Sequence, residues 1–229
     1  MPDWKACSMS DYTFTLCGAQ LTARADGTLY WPQQRLLCVS DLHLGKSERI
    51  ARRSGTLLPP YETRETLARL EKAINQTDPQ TVVCLGDSFD DISAAHAIGE
   101  ETRTALVRLQ TGREWVWIEG NHDPGPVDLG GTHHAELSIG PLTLRHITQT
   151  GTQGEISGHY HPKAAIVGTA RKPCFLLDKT RLIMPAFGAY TGGLSARDDV
   201  LAGLMAPNAL AILTGARATP VPLIACLRR

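Results

Sequence analysis

Five short stretches of this chain carry residue types that hold divalent cations: Asp41-Leu-His43, Gly86-Asp-Ser-Phe-Asp90, Gly120-Asn-His-Asp123, the single His146, and Gly158-His-Tyr-His161. In order they read D-x-H, G-D-x-x-D, G-N-H-D, H and G-H-x-H. Imidazoles mixed with carboxylates and a carboxamide, without thiolate, suit Mn²⁺, Fe or Zn²⁺ and argue against a structural zinc. Two such ions roughly 3.5–4 Å apart can hold a water between them and clamp a phosphate, which phosphodiester hydrolysis requires. Each stretch alone has a plainer reading. Gly-Asp and Gly-Asn pairs usually make turns, and a lone histidine on an apolar strand is more often a core residue. The set outweighs its parts, because five of the eight histidines fall in it, with Asp and Asn partners. His96, His133 and His134 lie outside the pattern and are expected on the surface or in loops.

These motifs need elements to place them. Residues 36–40, 81–85 and 115–119 are apolar runs that read as buried strands. They lead into Asp41, Gly86-Asp87 and Gly120-Asn121, where open α/β sheets keep their ligand sites. In D-x-H and H-x-H, residues two apart on an extended segment point the same way. A helix is expected over 62–75, with Leu67, Leu70 and Ile74 on one face, and another over 93–110, with Ile98, Ala105, Leu106 and Leu109. Strand, helix, strand, helix, strand predicts βαβ units in a largely parallel sheet. Upstream, 12–24 and 29–31 read as hairpin arms about the turn Ala25-Asp-Gly-Thr28. Downstream, short runs at 136–139, 142–146, 155–157, 164–170, 174–177 and 181–184 predict a second, mostly antiparallel sheet. Residues 209–214 and 218–224 would close it, with Pro220 and Pro222 marking an edge. The basic stretch 46–53 reads as helical, with Lys46, Arg49 and Arg53 on one face.

At 229 residues and 42% apolar content the chain suits one domain, 1–229, with a substantial core. It carries 23 basic and 23 acidic residues, a balance that excludes a general DNA-packing protein while leaving room for a local basic patch. The six cysteines are scattered without a C-x-x-C pair, so neither a disulfide framework nor a cysteine zinc site is expected. With no membrane-length apolar run and no signal-peptide pattern, a cytoplasmic protein is expected.

The ordered motif set resembles the calcineurin-like metallophosphoesterases. That resemblance implies an α/β fold, a four-layer α/β/β/α sandwich of two stacked mixed sheets flanked by helices. It implies that Asp41, His43 and His161 bind one ion, that Asn121, His146 and His159 bind the other, and that Asp87 bridges. Manganese is the expected ion, with iron and zinc as alternatives. His122 resembles the family's acid histidine, which assists the leaving oxygen, and Asp90 matches the carboxylate that orients it. For Asp91 and Asp123 a loop hydrogen bond or helix cap is expected instead. Phosphoprotein phosphatases of this superfamily carry Arg-Gly after G-D-x-x-D and Glu after G-N-H. Asp91-Ile92 and Asp123 stand here, so a charged fork for a terminal phosphate is missing and a diester substrate is favoured.

A closer resemblance spans most of the chain. Asp41-Leu-His-Leu-Gly-Lys-Ser47, Leu58-Pro-Pro-Tyr-Glu62, Gly86-Asp-Ser-Phe-Asp-Asp91, Glu155-Ile-Ser-Gly-His-Tyr-His-Pro-Lys163 and Met184-Pro-Ala-Phe-Gly-Ala-Tyr-Thr-Gly-Gly193 are similar to the bacterial ligase-associated DNA damage response endonucleases. This implies manganese-dependent cleavage of DNA phosphodiesters, in association with an ATP-dependent DNA ligase, a helicase and a second nuclease. Lys46, Arg49, Arg52 and Arg53 would then contact DNA phosphates, the plainer alternative being a solvated basic face. Lys163 would touch phosphate or cap a turn. For Phe187 and Tyr190, packing or loop anchoring is favoured over stacking on a base, and Trp115 and Trp117 are expected in the core. Two other readings compete. One is a phosphodiesterase for small or cyclic nucleotides; the other is a metal-free interaction scaffold, which would show eroded ligands where all seven are present.

Overall fold

The computed structural model of the chain describes residues 10–47, 49, 61–125 and 128–227. Its strands are β1 (Tyr12–Leu16), β2 (Ala19–Ala23), β3 (Leu29–Trp31), β4 (Leu36–Val39), β5 (Thr81–Leu85), β6 (Glu114–Ile118), β7 (Thr132–His134), β8 (Glu136–Ile139), β9 (Leu142–Arg145), β10 (Glu155–Ser157), β11 (Lys163–Ala164), β12 (Lys172–Leu177), β13 (Arg181–Ile183), β14 (Leu210–Leu213) and β15 (Thr219–Pro222). The helices are α1 (Tyr61–Thr77), α2 (Ile92–Ala97), α3 (Glu100–Gln110), α4 (Asp199–Leu204) and α5 (Leu223–Leu227).

Strand alternation divides the buried side chains between layers. On β4, β5 and β6, residues Leu36, Cys38, Val83, Leu85, Val116 and Ile118 turn to one face and meet Leu144, Ile156, Phe175, Leu182 and Ile212 of the second sheet. The alternate residues Leu37, Val39, Val82, Cys84, Trp115 and Trp117 pack with Leu67, Leu70 and Ile74 of α1 and with Leu106 and Leu109 of α3. On the second sheet Cys174, Leu176, Ile183, Ala211 and Leu213 turn outward to Leu201 of α4 and Leu223 and Cys226 of α5. Strands buried on both faces read as continuous apolar runs, which is why β4 to β6 stand out in the sequence. The result is the expected α/β/β/α sandwich. Cys38 and Cys84 fill the core as small hydrophobes, and burial pushes both thiols up.

The first sheet runs β1-β2-β3-β4-β5-β6-β7 and the second β15-β14-β12-β13-β10-β9-β8. Pairing is parallel from β4 to β7, and also where β10 meets β9 and β13. The second sheet's other pairings are antiparallel, and β15, with Pro220 and Pro222, is its edge. Among the described residues no helix is long and apolar enough to cross a membrane.

Several expectations are corrected. Residues 12–24 are not one arm but a complete hairpin, β1 with β2, turned at Cys17 (φ 47) and Gly18 (φ 87). The helix expected over 93–110 breaks into α2 and α3, because Ile98 and Gly99 adopt extended backbone and Gly99 caps a new start ahead of Glu100 and Glu101. Of 164–170 only Ala164 is strand, paired with Lys163 in β11, and 223–224 begins α5. His133 and His134 lie on β7, an unanticipated strand, where His134 is exposed as expected of a surface residue and His133 is half-buried.

Candidate metal centre

Seven candidate ligands gather beyond the carboxyl ends of five strands. Asp41 and His43 follow β4, Asp87 follows β5, Asn121 follows β6, His146 follows β9, and His159 and His161 follow β10. Within this cluster Asp41, His43 and His161 converge as one group, and Asp87, His146 and His159 as a second. Nε2 of His161 lies 3.0 Å from Oδ1 of Asp41 and 3.3 Å from Nε2 of His43. Nε2 of His146 lies 3.0 Å from Oδ1 of Asn121, 3.3 Å from Nδ1 of His159 and 3.3 Å from Oδ2 of Asp87. Asp41 and Asp87 are almost wholly buried.

The extended-segment explanation of D-x-H and H-x-H is overturned. Asp41 (φ 54), His43 (φ 46), Asp87 (φ 45), His159 (φ 71) and His161 (φ 46) all lie in the left-handed region. Asp and His enter that region more readily than most residues, yet each such residue costs on the order of 1–3 kcal/mol. The backbone therefore curls at the Asp41–His43, Asp87 and His159–His161 loops and turns the paired side chains inward. Close approach explains two of the accompanying glycines: a Cβ at Gly86 would land on the His146 ring, and one at Gly158 on the Ser40 hydroxyl.

The donor set fits a cation. Nδ1 of His146 faces the Leu85 carbonyl at 3.1 Å. A carbonyl only accepts, so Nδ1 carries the proton and the neutral ring presents a lone pair at Nε2. That lone pair, the Asn121 and Asp87 oxygens and a His159 nitrogen converge on one point, which a shared divalent ion would occupy; without an ion, a second proton at Nε2 would donate to Asp87 instead. Nδ1 of His43 approaches Oδ1 of Asp90 at 3.4 Å as an ion-pair contact, with Nε2 turned to His161. Burial alone would raise Asp87, but His146, the His122 amide and His43 outweigh it and hold this carboxyl at about 2. Burial opposes charge on His146, whereas Asp87 and Asp41 raise it; burial and the neighbouring His146 lower His159.

His122 stands at the edge of this cluster, its Nδ1 3.2 Å from the backbone carbonyl of Asp90 and its Nε2 3.9 Å from Oδ2 of Asp87. Asp90 thus meets His122, but through its carbonyl and not its carboxylate. The carboxylate is taken by His43 and by Arg49, which donates from Nε. Burial works against the Asp90 charge, and His43 and Arg49 lower its pKa on balance. Lys46 donates to the Tyr190 carbonyl at 2.9 Å, and Lys46, Ser47 and Arg49 are helical. Arg52 and Arg53 lie outside the described residues. Lys163 donates to the Thr191 carbonyl at 2.8 Å. Phe187 is buried beneath the Arg69 guanidinium, 4.5 Å from its ring centre, whereas Tyr190 is exposed.

Three further residues support the site: Asp123 and Asp91 take the loop hydrogen bonds and helix cap expected of them, and Ser40 is one that sequence reasoning did not single out. Asp123 is buried and accepts from the amides of Ser88 (2.8 Å), Phe89 (3.1 Å) and Gly120 (3.1 Å), joining the loop of Asp87 to the loop of Asn121 and His122. Burial raises its pKa to about 6. Ser40 donates to the Asp41 carboxylate, with no sequence signal beyond its place at a strand end. Asp91 caps α2 through the Ala94 amide, one of the two roles expected for it.

A family model described as calcineurin-like phosphoesterase matches residues 34–168, a span that contains all seven ligands and His122. Among solved structures, the crystal structure of Pseudomonas putida nuclease MPE aligns over 92% of this chain and 100% of its own, with 30% identity and a TM-score of 0.72. Yfce, a phosphoesterase from E. coli, aligns over 69% of this chain and 83% of its own, with 14% identity and a TM-score of 0.38. No curated protein matches the chain.

Proposed function

The chain belongs to the calcineurin-like phosphoesterase family, a hydrolase of phosphodiester bonds, and from that membership we propose that it is a dinuclear, manganese-dependent DNA endonuclease acting in DNA damage repair. The carrying observation is the pair of ligand groups, Asp41 with His43 and His161, and Asp87 with His146 and His159. Asn121 completes the second group and Asp87 serves both. When bound, two divalent ions supply an activated water and neutralise charge on the phosphoryl oxygens. Asp90 and Arg49 fix the His43 ring, and the Leu85 carbonyl fixes the His146 ring, so the ligands are oriented before metal arrives. His122 donates from Nδ1 to the Asp90 carbonyl, which turns Nε2 toward the reacting group. A proton held at Nε2 passes to the leaving oxygen as the P–O bond breaks. Lys46, beside the ligand loop, adds positive charge for DNA phosphates, whereas the Arg49 charge is matched by Asp90.

The nuclease neighbour supports nucleic acid as substrate. A ligase, a helicase and a second nuclease are the proposed partners, and the whole chain acts as a single unit in the cytoplasm. The test sets closed circular DNA against a cyclic nucleotide in Mn²⁺. Nicking of the circle with little turnover of the cyclic nucleotide is expected; brisk turnover of the cyclic nucleotide on intact circles would move the substrate to small diesters.

A further inference from the structure

The loop following β13 borders the Asp41 group along its length. The Phe187 amide donates to the Ser40 carbonyl at 2.8 Å, the Gly188 amide to the Asp41 carbonyl at 3.0 Å, and the Leu194 amide to the Tyr160 carbonyl at 3.2 Å. A Cβ at Gly193 would strike His161. This loop also walls a cleft of about 360 Å³, to which Glu65, Arg69, Lys163, Gly188, Tyr190 and Thr191 contribute. That volume lies at the lower end of the range for small-ligand sites, room for one nucleotide and not for a duplex.

Tyr190 stands at the apex, and at 75% it is the most exposed large apolar side chain among the described residues. Its backbone is left-handed, φ 57, a conformation a bulky aromatic residue rarely adopts. Two lysines hold the strained segment, Lys46 on the Tyr190 carbonyl and Lys163 on the Thr191 carbonyl. Strain retained in order to expose an aromatic ring beside a reaction centre points to a ligand for that ring. Every base offers a flat face, and stacking on an aromatic side chain beside cationic groups is how proteins grip nucleotides irrespective of sequence.

We propose that this cleft is a nucleotide subsite: the base of the nucleotide flanking the scissile phosphate stacks on Tyr190, and that nucleotide's other phosphate meets Lys163. This rests on the DNA reading above. Tyr190→Ala and Tyr190→Phe are compared with wild type on a short oligodeoxynucleotide and on bis-p-nitrophenyl phosphate, which has no base. Tyr190→Ala is expected to raise the oligonucleotide KM about ten-fold relative to the KM for the small diester, the scale of losing one stacked base, with kcat on the oligonucleotide retained. Tyr190→Phe, which keeps the ring, is expected to match wild type. Equal shifts in both KM values, or none, would overturn the subsite. If wild type hydrolyses the small diester and leaves DNA intact, the DNA reading itself fails and the subsite with it, before any variant is compared.

Discussion

The backbone amide of His159 points into the carboxylate of Asp41, 3.3 Å from one oxygen and 3.1 Å from the other, across 118 residues of chain. One loop comes from β4 in the first sheet and the other from β10 in the second. A single carboxylate therefore can offer an oxygen to an ion and also pins the two sheets together at the site. Asp41→Asn keeps the shape but turns an N–H toward the His159 amide or the Ser40 hydroxyl, both of which donate to this carboxylate. Bound manganese is expected to fall from about two ions per chain to about one. Stability should drop by about 1–3 kcal/mol, the cost of a stranded buried donor. Metal analysis after gel filtration and thermal melts read the two effects separately.

Asp123 should matter as much to stability as a ligand does to activity. Its carboxylate serves three backbone amides at a buried position. Asp123→Ala strands them, at about 1–3 kcal/mol for each that water does not reach. The expected result is a large fall in denaturation midpoint together with weaker metal binding, since the loops of Asp87 and Asn121 lose their link.

Gly158 is required by contact and not by backbone conformation. A methyl there would meet the Ser40 hydroxyl and the Asp41 carboxylate. Gly158→Ala should therefore depress kcat with secondary structure intact. Adding Ser40→Ala removes one of the two obstacles and should recover part of the loss, a coupling that a double-mutant cycle measures.

Asp178 carries a stability contribution far from the chemistry. Burial would raise its pKa, but the amides of Ala206, Thr180 and Arg181 and the Thr180 hydroxyl lower it below 3.8. The folded state therefore prefers the ionised form. The contribution is present above the unfolded value and is lost as pH falls through the lower folded one. Asp178→Ala should cost about 1–2 kcal/mol near neutrality, and the gap to wild type should narrow in melts below about pH 4.

Much of this was legible in the chain because a strand buried on both faces writes a continuous apolar run, as 36–39, 81–85 and 115–118 do, and because each run leads to a ligand motif. The β1–β2 turn was missed because Cys17-Gly18 is a weaker turn signal than Asp26-Gly27. The break at Gly99 had its sign in Glu100 and Glu101, an acidic first turn after a glycine, but the apolar spacing ran through it. β7 is three residues, two of them histidine, and carries no apolar pattern. The left-handed ligands were beyond reach, since that geometry is imposed by contacts between two sheets. So was the choice of Asp90 oxygen: a motif names a residue, whereas folding decides whether its carbonyl or its carboxylate meets His122.

The most direct test is nicking of closed circular DNA in Mn²⁺ by wild type, His122→Ala and Asp87→Ala, with bound manganese measured in each. Wild type should nick. His122→Ala should retain its metal and lose about 10²- to 10⁴-fold in rate, the usual worth of a general acid. Asp87→Ala should lose metal and activity together. Nicking that persists undiminished in both variants, or a wild-type protein that binds manganese and cuts no phosphodiester, would contradict the account.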